Sequence, residues 1–355
     1  MPKSIKIQHS RPCVGEDECR RLAEVVLSAQ LAQGPGVRAF EAEVGQYFGL
    51  PPGVATSSGT AALHLALLAL GIGPGDEVLL PSYVCTAPLQ AILYVRAIPV
   101  PVDVDPDTGN LDPYDLKQRL TARSKAIIAV HLHGVPAPMQ EILAFGLPVI
   151  EDCAQSLGAR IGGRLVGTFG DLGVCSFYAT KLITTGEGGM AFSPHAGYTE
   201  RIKDLRDYDK REDFKVRYNY KMSDLEAAMG CHQLTRLEDF LAKRKLLASA
   251  YDERLHPLPC RLPPKVEGRI YYRYVVSISH PDVQAFIDLL ALRGVEAARP
   301  IFRPLHRHLG SAAGYAGTEA CWNTHLSLPI HPDLSLEDID EVCTALEQVL
   351  EELRR

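Results

Sequence analysis

Short apolar runs and amphipathic stretches alternate along most of the chain, and their periods assign the elements. The runs at 77–81, 98–104, 125–131, 148–153 and 174–178 are rich in Val and Ile and nearly continuous in apolarity. Strands covered on both faces read this way, so these runs predict a largely parallel sheet with helices on each side. A further short strand is expected at 54–56. Helices are expected between the strands at 86–95 and 112–120. The stretch 60–70 is apolar on almost every side and predicts a helix inside the protein.

Before this core, 15–30 places Cys19, Leu22, Val25, Val26 and Ala29 at amphipathic spacing, and Gln33-Gly34-Pro35-Gly36 breaks the pattern. After it, helices are expected at 198–208, 223–240 and 243–255. Residues 256–268 hold four prolines and no periodicity. They mark a boundary between a large domain over 1–255, with its N-terminal helical segment, and a small domain over 256–355. The small domain reads as α+β: a strand at 271–279, a helix at 282–293, a strand at 295–299 and a last helix. That helix opens on Ser335-Leu336-Glu337-Asp338, a capping-box pattern.

Composition narrows the classes. The chain has 355 residues, 46% of them apolar, and a formal net charge of −6. This balance, with no long Lys/Arg run, argues against nucleic acid or an anionic membrane as a partner. The longest apolar run, 61–72, is too short to span a bilayer and carries His64. The start has no apolar stretch suited to a signal peptide. The nine cysteines are scattered, with no C-x-x-C pair, so reduced thiols in a cytoplasm are expected, without a disulfide framework or structural metal. His306 and His308 could be two metal ligands, but they lie in a stretch rich in Pro and Arg with no Cys or carboxylate nearby, which argues against a metal. Gly71-Ile72-Gly73-Pro74-Gly75 follows a helix instead of a strand and reads as a helix end and turn, not a dinucleotide loop.

Three segments carry chemistry. Thr56-Ser57-Ser58-Gly59-Thr60 joins a strand to the buried helix; hydroxyls and a Gly at a helix start suit either a phosphate or a plain N-cap. Pro148-Val149-Ile150-Glu151-Asp152-Cys153-Ala154-Gln155-Ser156 ends a buried strand with two carboxylates on opposite faces, and a buried carboxylate needs a cationic partner. Ser176-Phe177-Tyr178-Ala179-Thr180-Lys181 leaves a buried strand and meets the turn Gly186-Glu187-Gly188-Gly189. A desolvated lysine there is a candidate nucleophile toward a carbonyl.

In this order and spacing, the segments resemble those of the DegT/DnrJ/StrS-type sugar aminotransferases, within the fold type I pyridoxal-phosphate (PLP) enzymes. SSGTAALHLALLALGIGPGDEVLLPSY, PVDVDPDTGNLD, IEDCAQSLGA, GTFGDLGVCSFYATKLITTGEGGM, YNYKMSDLEAAMG and LSLPIHP all carry the likeness. The resemblance implies an α/β fold, a PLP cofactor and an aminotransferase. It implies that Lys181 is the catalytic residue that binds PLP covalently and later shuttles a proton. Asp152 would pair with the pyridine nitrogen and Gln155 with the ring's phenolic oxygen; Gly59, Thr60 and Ser176 would hold the phosphate. Asn219 would reach the phosphate of a neighbouring subunit in a homodimer, and His331 would lie near the substrate. Glutamate would be the amino donor, leaving as 2-oxoglutarate, and a nucleotide-linked keto-sugar the acceptor, with a lean to carbon 4 from the ITTGEGGM stretch.

Two rivals are a sugar dehydratase of the same family and a PLP-fold protein that binds without turnover. The family's dehydratases carry His where Lys181 stands, and a pure binding module has no need of the full set of Lys181, Asp152, Gln155 and Ser176. One departure stands out: Cys85 occupies the place of the aromatic residue that the family stacks on the PLP ring. Either Cys85 covers that face, or Tyr83 or another side chain does.

Overall fold

Among the described residues, twelve strands form a seven-stranded sheet, a three-stranded sheet and a two-stranded ribbon, with thirteen α-helices around them. The computed structural model describes residues 5–353 apart from Pro281 and Ala312. The large sheet holds β1 (Val54–Thr56), β2 (Glu77–Pro81), β3 (Ile98–Val102), β4 (Ser124–Val130), β5 (Val149–Asp152), β8 (Leu172–Ser176) and β9 (Gly189–Phe192). Between β5 and β8 a small two-stranded ribbon is formed by β6 (Arg160–Ile161) and β7 (Arg164–Leu165). Strand order in the large sheet is β1-β9-β8-β5-β4-β2-β3, and only β9 runs against the rest. β3 takes the edge, where Pro99 and Pro101 cost no ladder bonds to a further strand.

Alternation along β2 sends Val78 and Leu80 to one face and Leu79 to the other. The first face is covered by α3 (Gly59–Ala69), α4 (Ala87–Tyr94) and α7 (Ala196–Arg206), through Leu63, Leu67, Ile92 and Ile202. α3 is buried on nearly all sides, as its unbroken apolarity requires. On the other face lie α5 (Pro113–Arg119) and α6 (Met139–Leu143), with Leu116, Met139 and Ile142 against Ile127 and Val149. The N-terminal helices α1 (Glu16–Ser28) and α2 (Pro35–Phe48) pack on α8 (Asp224–Thr235).

The second sheet is β10 (Cys260–Arg261), β11 (Tyr274–Ile278) and β12 (His325–Leu328), all antiparallel. Its core joins α10 (Val283–Leu292), α13 (Leu336–Glu352) and the C-terminal half of α9 (Leu237–Leu255), and Ile7 enters it from the start of the chain. Two short helices, α11 (Leu305–His308) and α12 (Ala316–Thr324), complete the chain. Ser335 caps α13: its hydroxyl accepts the Asp338 N–H at 3.1 Å while Asp338 accepts the Ser335 N–H at 2.9 Å, worth about 1 kcal/mol.

Two expectations need correction, near residue 240 and at 295–299. Gln33-Gly34-Pro35-Gly36 lies where the first helical pattern breaks, after α1, and it starts α2, with Pro35 in the first turn. Asp224 accepts the N–H groups of Gly34 (2.7 Å), Gly36 (3.0 Å) and Val37 (2.9 Å), so the cap comes from a residue remote in sequence. The break expected after residue 240 lies at Arg236, and α9 runs unbroken from Leu237 to Leu255. Residues 295–299 form no strand: Val295 bridges Ile7 and Ala298 bridges Ser327, each singly. The small sheet is completed instead by β12, from the LSLPIHP segment.

Candidate active site

Strand ends that share a direction converge at one edge of the large sheet. There β1, β2, β5 and β8 finish and α3 begins, around a cavity of about 230 Å³. Ligands bind at this carboxyl edge in open α/β sheets. Gly59, Thr60, Cys85, Asp152, Gln155, Ser176 and Lys181 all line the cavity. A roomier groove of about 660 Å³ runs between α9 and residues 265–271. Arg160, Glu238, Lys245, Lys265 and Glu267 on its wall are exposed, and none of the residues singled out from the sequence lines it.

The two carboxylates that end β5 divide as alternation requires. Glu151 is fully buried and accepts N–H bonds from Gly167 (2.7 Å), Phe169 (2.6 Å) and Gly170 (2.6 Å), with His131 Nε2 at 3.0 Å. Burial pushes its carboxyl up, but His131 and these N–H donors hold it below the ordinary range. Asp152 faces the cavity. Its one hydrogen bond in the structure is from the Ala154 N–H to Oδ1, at 2.9 Å. Burial raises its carboxyl, against the pull of that N–H, Lys181 and His131. Asp152 is thus a buried acid that makes no salt bridge among the described residues.

Gln155 is oriented by the turn after β4. Its Oε1 accepts the His133 N–H at 2.9 Å and faces His133 Nδ1 at 3.3 Å. With the oxygen so engaged, the amide Nε2 is left as a donor toward the cavity. His133 sits at φ 58°, an uncommon backbone for a non-glycine residue. Asn110 holds that turn: Oδ1 accepts the Leu132 N–H at 2.9 Å, and Nδ2 donates to the carbonyls of Val135 and Pro136 at 3.1 and 3.0 Å.

At the opposite end, Ser58 caps α3 by accepting the Ala61 N–H at 3.1 Å. Gly59 and Thr60, the first two residues of the helix, face the cavity beside Ser176. A Cβ on Gly59 would lie 2.8 Å from Ser176 Cβ, and one on Gly189 would lie 2.5 Å from the Gly59 nitrogen. Two glycines therefore let β8, β9 and the helix start close up. The resulting corner offers N–H groups, hydroxyls and the positive end of a helix dipole, which suits a phosphate. The cap and anion readings of this segment are compatible: Ser58 makes the cap, and the two residues after it line the site.

Lys181 follows β8, and its Nζ lies 5.3 Å from the ring centroid of Tyr272, a residue from just before β11. Burial pushes the Tyr272 phenol up, yet Lys181 and Arg273 draw it below its usual value. The question of Cys85 is narrowed. Tyr83 is 1% exposed and packs edge-on against His325, at 5.5 Å, so it does not line the cavity. Cys85 and Tyr178 do line it, and both are solvent-accessible.

Asn219 and His331 do not reach the cavity. Asn219 is exposed between Tyr218 and Tyr220, whose rings stack at 5.1 Å. That segment is pinned beside the start of α3: the Ser57 N–H donates to the Tyr220 carbonyl at 2.8 Å, and His64 Nδ1 lies 3.2 Å from the Tyr220 hydroxyl. His331 is buried. Sequence reasoning missed Tyr178, Tyr272, His133 and Asn110. Tyr178 and Asn110 lay inside quoted motifs, but nothing in the local sequence marks Tyr272 or His133. His306 bonds to Ser82 Oγ at 2.7 Å and Glu319 at 2.8 Å.

The donor set fits PLP. An unpartnered buried carboxylate suits a protonated pyridine nitrogen, the free amide of Gln155 suits a phenolate, and the glycine-walled corner suits a phosphate. Comparison with known proteins agrees. The DegT/DnrJ/EryC1/StrS aminotransferase family matches residues 12–347. A GDP-perosamine synthase of Caulobacter vibrioides is 40% identical, over 88% of this chain and 89% of that protein. A UDP-N-acetyl-3-dehydro-alpha-D-glucosamine 3-aminotransferase of Acidithiobacillus ferrooxidans is 34% identical, over 93% and 92%. Among solved structures, the aminotransferase TlmJ of Streptoalloteichus hindustanus superposes with a TM-score of 0.92 at 33% identity, covering 98% of this chain and all of that one. The PLP form of the sugar aminotransferase Spr1654 of Streptococcus pneumoniae does so with 0.91 at 26% identity, covering 97% and 98%. The chain belongs to the DegT/DnrJ/EryC1/StrS family and is an aminotransferase, with PLP the cofactor that the family implies.

Proposed function

We propose that this member of the DegT/DnrJ/EryC1/StrS family moves an amino group from glutamate to a nucleotide-linked keto-sugar, at carbon 4. The observation that carries the reading is the convergence of Lys181, Asp152 and Gln155 on one cavity beside a phosphate-sized corner. The names of the relatives support a nucleotide-linked sugar as acceptor. One relative is named for transfer at position 3, so the lean to carbon 4 rests on the ITTGEGGM stretch alone.

In this reading Gly59, Thr60 and Ser176 hold the cofactor's phosphate, and Gln155 donates to its phenolic oxygen. Asp152 would pair with the protonated pyridine nitrogen, which would give its carboxylate a cation. Bound PLP would supply an electron sink for the substrate carbon. Lys181 would be the attachment point, and its Nζ would take and return the proton at that carbon. Cys85 lies on the cavity wall and, by the likeness of sequence, would take the place of the family's aromatic residue. His331 is buried and does not line the cavity, so its place near the substrate rests on the likeness alone.

The reading includes a homodimer in which Asn219 completes the partner's phosphate corner; its exposure and the pinning of its segment beside α3 support this. It also includes a cytoplasmic setting, and no helix among the described residues is long and apolar enough to cross a membrane. A division into two domains is supported by the separate apolar clusters of the two sheets, although Leu247, Ala248, Tyr251 and Leu255 of α9, before 255/256, pack in the cluster of the small sheet. The test is a panel of nucleotide-linked amino sugars incubated with 2-oxoglutarate, reading glutamate formation. Turnover with amino sugars bearing nitrogen at carbon 4 is expected. Turnover with only the carbon-3 members would correct the position, and turnover with none would overturn the acceptor class.

A further inference from the structure

The strand that leads into the phosphate corner is held on its open side by a buried ion pair. β1 is three residues long, stands at one end of the large sheet and pairs only with β9. An edge strand leaves N–H and C=O groups unpaired on its outer side. Here two side chains take them. Glu41 Oε1, from α2, accepts the Ala55 N–H at 2.9 Å, and Arg206 Nη1, from the end of α7, donates to the Ala55 carbonyl at 2.7 Å. Arg206 Nη1 also donates to Glu41 Oε1. Ala55 is fully buried, Glu41 is 5% exposed and Arg206 6%.

Arg206 closes a circuit through the main chain as well. Its carbonyl accepts the Tyr220 N–H at 3.1 Å, and the Tyr220 carbonyl accepts the Ser57 N–H at 2.8 Å. Arg206 therefore grips this segment by its side chain at Ala55 and, through Tyr220, at Ser57. Ser58, which caps α3, follows directly, and then Gly59 and Thr60 of the cavity wall. Asn219 stands on the same circuit, next to Tyr220.

Stability accounts poorly for such a pair, because apolar groups of similar volume in place of a buried ion pair are often neutral or stabilising. What the charges add is direction: hydrogen bonds to one residue fix the strand along its axis, where apolar packing tolerates small shifts. Groups that bind a ligand must be held within about half an ångström of their working positions. A strand with three residue pairs on one side only is a weak hold by that measure.

We propose that Glu41 and Arg206 are positioning residues for the cofactor's phosphate, acting through β1 on the corner made by Gly59, Thr60 and Ser176. This rests on the PLP reading above and deepens it. On the homodimer reading the circuit also sets Asn219, so one buried pair adjusts the corner of its own subunit and the group lent to the partner.

The experiment titrates wild type, Arg206→Lys and the double variant Glu41→Gln/Arg206→Met with PLP and, separately, with pyridoxal, which lacks the phosphate. The visible absorbance of the bound aldehyde reads binding, and thermal unfolding of the apo proteins is followed alongside. The double variant buries no charge at this place and keeps the bulk of the pair, so its melting temperature should stay near that of wild type. It is expected to weaken PLP binding by about tenfold or more, while pyridoxal binding stays within about twofold. Arg206→Lys keeps the charge beside Glu41 but not the reach of the guanidinium; it should show a smaller loss, again confined to PLP, and it decides the matter if the double variant does not fold. Unchanged PLP binding overturns the proposal, as does an equal loss for PLP and pyridoxal, which marks the pair as a support of the fold alone. A wild type that binds PLP no more tightly than pyridoxal overturns the phosphate corner itself, and the proposal with it.

Discussion

Replacing Asp152 by Asn separates what the carboxylate costs the empty protein from what it contributes to the cofactor. In the apo chain Asp152 is 6% exposed, with a single N–H bond from Ala154. Its carboxyl is raised by burial, so ionisation is easier in the unfolded chain than in the fold. For an acid with a raised folded pKa, stability is lost as pH rises from the ordinary value of 3.8 through the folded one. Asn keeps the shape and the Ala154 bond without the charge. Apo Asp152→Asn should therefore be more stable than wild type at neutral pH, by about 1–3 kcal/mol. The advantage should vanish as pH falls below about 4.

With PLP the sign reverses. On the proposed reading the variant would lose a buried ion pair with the pyridine nitrogen, worth about 2–5 kcal/mol, or roughly 30-fold to several-thousand-fold in affinity. Thermal unfolding of apo and loaded protein across pH, with calorimetric titration of PLP, measures both. An apo variant less stable than wild type at neutral pH, or one that binds PLP as tightly, would refute the reasoning.

Lys181→Ala should abolish turnover and the visible absorbance of bound cofactor; a variant that keeps the absorbance excludes Lys181 as the attachment point. Glu151→Gln breaks the set that three backbone N–H groups and His131 make around one charge, and should cost about 3–5 kcal/mol. Because the Glu151 pKa is held below its ordinary 4.5, its contribution is present above that pH and fades as pH falls through the depressed value. The acid limb of the stability curve should flatten in the variant, and an unchanged limb contradicts the assignment. Asn219→Ala should weaken PLP retention by about tenfold in a dimer; full retention in a chain shown to be monomeric by sedimentation removes the shared corner.

Much of the site was legible because its residues sit at strand ends within contiguous motifs. Asp152 and Glu151 are adjacent, so alternation alone puts one toward the ligand and one toward the interior. Lys181 stands out because a lysine between a buried strand and a glycine turn is rarely mere surface. What stayed hidden depends on contacts between distant segments. Tyr272 lies about ninety residues beyond Lys181 and reads locally as part of an ordinary strand. His133 matters through the backbone of one turn, fixed by Asn110 from another loop. The small sheet was misread at 295–299 because single bridges, not a ladder, hold that segment, while β12 is short and half polar.

The sequence by itself determined the class of sheet, the buried helix at its edge, and the order of motifs that marks a PLP aminotransferase. These are local or contiguous signals: apolar period, capping residues, and side chains within a few positions of one another. Tertiary structure alone decided that α2 begins at a Gly-Pro-Gly stretch, since its cap is Asp224, about 190 residues away. It alone decided which side chains stand around the site, removing Tyr83 to the interior and bringing the Tyr272 ring to Lys181. The physical reason is common to these cases: an orphaned N–H, a buried charge or an aromatic face takes its partner from whatever the fold brings near, and separation along the chain does not enter.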